Sequence, residues 1–180
     1  MTVTPDGRSV YVAAYDSDAV AVFDRAVDGT LTQKAGTAGC ISETPAGPCG
    51  DGMALDGAVS ITASADGASV YVASELIPGV AVFDRAVDGA LTQKAGTAGC
   101  ISDSGSSGRC VDGAALFGAF SVTVSPDGTS AYVASWASDA VAVFDRAGDG
   151  ALTQKAGTAG CISDTGAGPC VGPRSPALAR

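Results

Sequence analysis

The residues best suited to chemistry in this chain are its cysteines. Six of them form three local pairs, Cys40/Cys49, Cys100/Cys110 and Cys161/Cys170, spaced C-x8-C, C-x9-C and C-x8-C in loops rich in Gly, Ser and Pro. An even count in repeated local pairs favours one disulfide per loop over reactive thiols. Closing a loop of about ten residues contributes roughly 2–3 kcal/mol in the chain-entropy view. Zinc sites space their ligands C-x2-4-C and commonly use His, whereas this chain has no His at all. A nucleophilic cysteine needs a base beside it and gains nothing from being triplicated. These positions therefore predict no metal site, no cofactor and no catalytic residue. Disulfides imply export, yet Met1 is followed by neither a basic n-region nor an apolar h-region. A truncated N-terminus reconciles the two facts, so the expected location is extracellular, cell-surface or periplasmic.

A second set of residues suits binding. Tyr15-Asp16, Glu75-Leu76-Ile77-Pro78 and Trp136-Ala137 stand at corresponding places in otherwise near-identical segments, and this is the most variable position among them. Loops on a rigid scaffold are where binding residues concentrate, and an exposed Trp or Tyr suits a contact surface. Tyr15, Glu75 and Trp136 are accordingly the candidate ligand contacts, with drift after duplication as the competing account. The dipeptides Asp24-Arg25, Asp84-Arg85 and Asp145-Arg146 could form a ring of charges. They read more simply as exposed or scaffold-bracing ion pairs worth under about 1 kcal/mol. Segments such as Asp24 to Gly29 resemble calcium loops superficially, but lack the alternating Asp/Asn and the terminal Glu, so hairpin-turn chemistry explains them better. Nothing assembles the nucleophile, base and orienting group of a hydrolytic site.

Composition narrows the partners. The chain has 180 residues, 46% of them hydrophobic, with 10 Lys plus Arg against 19 Asp plus Glu for a net charge of −9. That apolar content argues against disorder. The acidic balance, without any Lys/Arg cluster, makes nucleic acid an unsuitable partner. No apolar run approaches the roughly 18 residues of a spanning helix, so no membrane span is expected.

The elements that must position these residues come from a repeat. Tyr11, Tyr71 and Tyr132 sit in SVYVAA, SVYVAS and SAYVAS; Phe23, Phe83 and Phe144 sit in AVFDRA; Cys40, Cys100 and Cys161 close LTQKAGTAGC. Each anchor recurs after 60 and then 61 residues. The identity extends to Gln33, Gln93 and Gln154, which reports recent duplication and carries no functional weight. In the third copy, Phe120–Val124 alternates as a half-buried strand and Ser125-Pro126-Asp127-Gly128 breaks it. Ala131–Ser135 and Ala140–Asp145 follow as strands, Asp149-Gly150 marks a hairpin, and Ala151–Lys155 reads as a fourth, edge strand. Residues 157–170 read as a long loop, and no stretch carries a helical pattern.

Four short antiparallel strands, copied in tandem, predict an all-β fold of β-propeller blades; a β-sandwich with similar hairpins is the alternative. Residues 1–58, 59–118 and 119–171 are expected to form one blade each with its Cys loop, leaving 172–180 as a tail or the degenerate start of a next blade. The repeated Tyr and Phe are expected in the inter-blade core. Propellers typically close with about four to eight blades, so three make a partial propeller whose open faces invite self-association. A fragment of a larger propeller is the favoured reading over two arcs paired into a six-bladed ring.

The run V-x-V-S-P-D-G-x-x-x-Y-V-A-S, then D-x-V-x-V-F-D-R, then D-G-x-L-T-Q, spanning Val122 to Gln154 with two sister copies, resembles the YVTN-type and lactonase-like seven-bladed β-propellers. The resemblance covers every repeat through scaffold motifs. It implies a seven-bladed parent of which this chain supplies three blades, in a group that includes 6-phosphogluconolactonase-like hydrolases, surface-layer proteins and secreted scaffolds. The Cys loops depart from the plain pattern, and no residue here matches a family catalytic position. The leading expectation is a non-catalytic extracytoplasmic scaffold presenting loops to a protein, glycan or small ligand. A lactonase-like hydrolase fragment and a surface-layer or adhesive module are the alternatives.

Overall fold

The structure, a computed structural model, describes residues 1–44, 47–166 and 169–172. It is all-β, with three sheets in chain order. The first contains β1 (Thr2–Val3), β2 (Ser9–Ala14), β3 (Ala19–Arg25), β4 (Leu31–Gln33), β5 (Cys40–Ser42) and β6 (Gly50–Asp51). The second contains β7 (Ala58–Ala63), β8 (Ser69–Ser74), β9 (Gly79–Arg85), β10 (Leu91–Gln93), β11 (Cys100–Ser102) and β12 (Val111–Asp112). The third contains β13 (Ala119–Val124), β14 (Ser130–Ser135), β15 (Ala140–Arg146), β16 (Leu152–Gln154) and β17 (Cys161–Ser163). The first three strands of each sheet form an antiparallel meander. The sheets pack face on face as propeller blades. One buried cluster joins Tyr11, Val20, Val22 and Ile41 of the first to Leu55, Phe83 and Leu91 of the second. Another joins Tyr71, Val80, Val82 and Ile101 of the second to Leu116, Phe144 and Leu152 of the third.

The outer edge of each blade differs from the single expected fourth strand. Two short segments share the third strand's free edge: Leu91–Gln93 pairs with Phe83–Arg85, and Cys100–Ser102 pairs with Gly79–Ala81. A 3-10 turn over Gly96–Gly99 divides them, and Gln93 Nε2 bridges it by donating to the Gly99 carbonyl at 2.9 Å. The same amide bonds both backbone atoms of Met53, at 2.8 and 2.9 Å, tying the edge to the loop that leads into its own blade. Gln154 does this with Ala114. These glutamines thus have a structural task that reading them as mere duplication missed. Residues 157–170 are likewise not one long loop, since β17 and a 3-10 turn over Gly157–Gly160 lie within them. Five short 3-10 turns occur among the described residues.

The cysteines form Cys40–Cys49, Cys100–Cys110 and Cys161–Cys170. In the first two blades the second cysteine stands beside a two-residue strand paired in parallel with β5 or β11. So short a parallel pairing has little stability of its own, and the covalent loop holds it in register.

Neighbouring blades are joined by a polar clamp at the hairpin end. The Tyr71 hydroxyl, fully buried, donates to the Gly150 carbonyl at 2.7 Å and accepts from Arg146 Nε at 2.7 Å. Arg146 also reaches Asp66 at 2.8 Å and Ser69 Oγ at 3.2 Å. Tyr11, Gly89, Arg85, Asp6 and Ser9 repeat the arrangement one blade earlier. Gly150 has φ +87°, and a Cβ there would collide with Ser69 Oγ, so the position needs glycine twice over. The Asp-Arg dipeptides therefore do not pair internally. Asp84 bonds Lys94 at 2.7 Å within its blade, while Arg85 crosses to the blade before it. At the ends of the array the expected core residues are less covered. Tyr132 is 38% exposed and Phe23 only half-buried, because no sheet covers those faces among the described residues.

The expected tail, from residue 173 onward, lies outside the described residues. Among those described, no helix is long and apolar enough to cross a membrane.

Candidate functional site

The turns between the second and third strands of the three blades project at the end opposite the clamp. In the second and third blades the turn is fixed from below by the loop entering the blade. The Glu75 N–H donates to the Gly57 carbonyl at 3.0 Å and the Leu76 N–H to Asp56 at 3.2 Å. The Trp136 N–H donates to Gly118 and the Ser138 N–H to Phe117, both at 3.1 Å. Gly118 has φ +72°, and a Cβ there would stand 2.8 Å from the Trp136 indole nitrogen, so its lack of a side chain lets the indole lie over the loop. In the first blade Tyr15 opens a 3-10 turn that closes at Asp18 in the left-handed region.

These turns bring the three candidate binding residues into one row. Trp136 Nε1 donates to Glu75 Oε1 at 3.1 Å across the joint between the second and third blades. On its other side Glu75 faces Tyr15 of the first blade. Tyr15's phenol is held above its usual range by desolvation and then by the negative charges of Glu75 and Asp16. Trp136 is 62% and Tyr15 40% exposed, so an aromatic surface flanks a central carboxylate. Beneath this row lies a carboxyl pair: Asp18 accepts the Gly57 N–H at 2.8 Å, and burial followed by the charge of Asp18 raises the Asp56 carboxyl. An aromatic row with a carboxylate at its centre can stack a ring and accept hydroxyl hydrogens. It lacks a nucleophile with a base beside it. Among the described residues no group of three or more His, Cys, Asp or Glu could hold a metal ion.

Sequence reasoning found Tyr15, Glu75 and Trp136 singly, through their variability, but not their proximity. It missed Asp18 and Asp56, for which the only available signal was their place in the same turns and entry loops. A cavity of about 500 Å³ opens beside Trp136 on the outer face of the third blade, lined by Phe120, Ser135, Asp139, Val141, Ile162 and Asp164 among others.

This architecture has relatives among solved structures. A Bacteroides fragilis protein provisionally assigned as a 6-phosphogluconolactonase superposes with a TM-score of 0.62 at 22% identity, over 84% of this chain and 36% of its own. The periplasmic gluconolactonase of Pseudomonas aeruginosa gives 0.59 at 25% identity over the same shares. The likeness is one of fold. Hydrazine synthase from Kuenenia stuttgartiensis also matches, at a TM-score of 0.51 and 22% identity, so the architecture carries unrelated chemistries. The chain spans a little over a third of the length of these structures. No protein-family model and no curated protein matches it.

Proposed function

We propose that this chain is an extracytoplasmic propeller segment that binds, without transforming, a small polyhydroxylated ligand of the sugar or sugar-lactone class. Tyr15, Glu75 and Trp136 are its contacts. The observation that carries this reading is the 3.1 Å bond from the exposed Trp136 indole to Glu75, which orients a carboxylate beside an aromatic face across a blade joint. Stacking supplies area and the carboxylate accepts hydroxyl hydrogens, a pairing suited to a ring that is apolar on its faces and polar at its rim. Three disulfides suit an oxidising compartment. The YVTN-type assignment belongs to the same proposal and is supported by the strand motifs.

The second reading is a lactone hydrolase whose reacting groups lie in other blades. It is favoured by fold neighbours named as gluconolactonases, one of them periplasmic.

One experiment tests both. Fluorescence of the single tryptophan is followed while D-gluconate or D-glucono-δ-lactone is added. The expected result is a saturable change weakened about tenfold or more in Glu75→Gln, which loses a charge-assisted acceptor. A response unaltered by Glu75→Gln refutes the binding reading. Lactone opening faster than in buffer by a full-length parent that carries the other blades, but not by this chain alone, favours the second.

A further inference from the structure

Charge is divided unequally between the two ends of the molecule. At the clamp end it is balanced. The arginines of the Asp-Arg dipeptides stand there, each donating to a turn glycine carbonyl, and Arg8 joins them through the Arg25 N–H. Each lysine described pairs with the aspartate of a dipeptide, as Lys94 does with Asp84 at 2.7 Å. At the turn end, Arg109 is the one cationic side chain among the described residues. Glu43, whose N–H donates to the Asp18 carbonyl at 2.9 Å, already holds it at 3.5 Å.

The row of Tyr15, Glu75 and Trp136 has no such balance. Asp16 and Asp18 lie in the turn that Tyr15 opens, and Asp56 lies in the loop beneath. Neither these carboxylates nor Glu75 makes an ion pair among the described residues. The imbalance reaches the phenol itself: beyond desolvation, the charges that act on Tyr15 are those of Glu75, Asp16 and Asp56, all negative. A charge excess alone specifies no ligand, but here it surrounds two exposed rings, Trp136 and Tyr15. The indole bond to Glu75 Oε1 fixes the carboxylate between them and leaves it capacity for further donors. A cation over an aromatic face is attracted by the ring quadrupole, and an ammonium offers a carboxylate three charge-assisted donors. A hydroxyl offers one uncharged donor, and an anion is repelled. A metal ion would need a ligand cluster that the described residues lack. Resting on the binding reading above, we infer that this row selects the cationic members of the sugar class, amino sugars whose ring stacks on the aromatic face and whose ammonium meets Glu75. A neutral sugar would use the rings and leave the uncompensated carboxylates without a task.

The test compares D-glucosamine with N-acetyl-D-glucosamine, D-glucose and D-gluconate, followed by Trp136 fluorescence at constant ionic strength. A pH below about 7 keeps the amine charged. D-glucosamine is expected to bind about tenfold or more tightly than the two neutral sugars, with D-gluconate weakest. Glu75→Gln, which keeps an acceptor for the indole but removes the charge, should bring D-glucosamine to within about threefold of D-glucose. Added salt should weaken D-glucosamine and leave D-glucose unchanged, a readout that needs no variant. D-glucose, N-acetyl-D-glucosamine or D-gluconate binding as tightly as D-glucosamine overturns the inference and leaves the binding reading in place. An advantage of D-glucosamine that survives both salt and Glu75→Gln also overturns it. No saturable response to any of the sugars up to about 50 mM overturns the binding reading and this inference with it.

Discussion

Tyr71→Phe removes one oxygen from the centre of the clamp and tests the account of how the blades hold together. The hydroxyl serves two partners at 2.7 Å: the Gly150 carbonyl, to which it donates, and Arg146 Nε, from which it accepts. The ring is fully buried and the Arg146 side chain only 4% exposed, so water does not readily replace the lost oxygen. Stranding a buried polar group costs about 1–3 kcal/mol, with charged groups at the upper end. Arg146 keeps Asp66, Ser69 and the Gly128 carbonyl, which relieves part of that cost. The expected loss is therefore about 2–4 kcal/mol, or roughly 5–15 °C in Tm for a chain of this size. Tyr11→Phe should behave alike, since its hydroxyl bonds Gly89 at 2.8 Å and Arg85 at 2.9 Å. Tyr132→Phe is the internal control. It stands in the same sequence context but is 38% exposed and makes neither bond among the described residues, so it should cost under about 0.5 kcal/mol. Thermal and urea unfolding of dilute protein, followed by circular dichroism, measures all three. Equal losses at Tyr71 and Tyr132, or a negligible loss at Tyr71, would refute the clamp as a source of stability.

Two further outcomes follow from the same geometry. Asp6 is held at about 2, below the ordinary 3.8, first by the Thr4 hydroxyl, then by the Arg8 N–H and the Arg85 guanidinium. A depressed carboxyl stabilises the fold fully above its unfolded value and ceases to do so as pH falls through about 2. Unfolding free energy should thus decline from about pH 4 downward, less steeply in Asp6→Asn; matching slopes would count against the assignment. Replacing Cys100 and Cys110 by Ser opens a loop of sequence separation 10 and should cost about 2–3 kcal/mol, read from the urea midpoint. Thiol titration of denatured, unreduced protein from its native host should find no free cysteine, and six would refute the disulfide and compartment reading together.

How much of this was legible in the sequence depends on whether a residue's partner is near in the chain. Strands such as the one read over Ala131–Ser135 and found over Ser130–Ser135, and turns such as Ser125-Pro126-Asp127-Gly128, are governed by local alternation and local side chain–backbone bonds, and the reading located them. The cysteine pairs lie within ten residues of each other and were readable for the same reason. Arg146 and Tyr71 are 75 residues apart, and Gln154 meets Ala114 across 40. No local rule connects such residues, so the clamp and the glutamine bridge were invisible, and Asp145-Arg146 looked like a pair. The split outer strand was hidden because three-residue segments carry no measurable period. The row of Tyr15, Glu75 and Trp136 was half legible: the repeat gave equivalent turns, and only the stacking of blades gave their adjacency.

The clamp also has a direction, since Arg85 and Arg146 each reach back to the tyrosine of the blade before them and not forward. Every seam is therefore made of interchangeable parts. A gene that gains or loses a whole copy of the unit regenerates a working seam at once, and the extra residue between Cys100 and Cys110 leaves the seam intact, whereas a recombination that shifts the strands themselves leaves an arginine facing the wrong residue. Tandem growth is in this way self-proofreading, and the near-identity of the three copies is what such a history leaves behind.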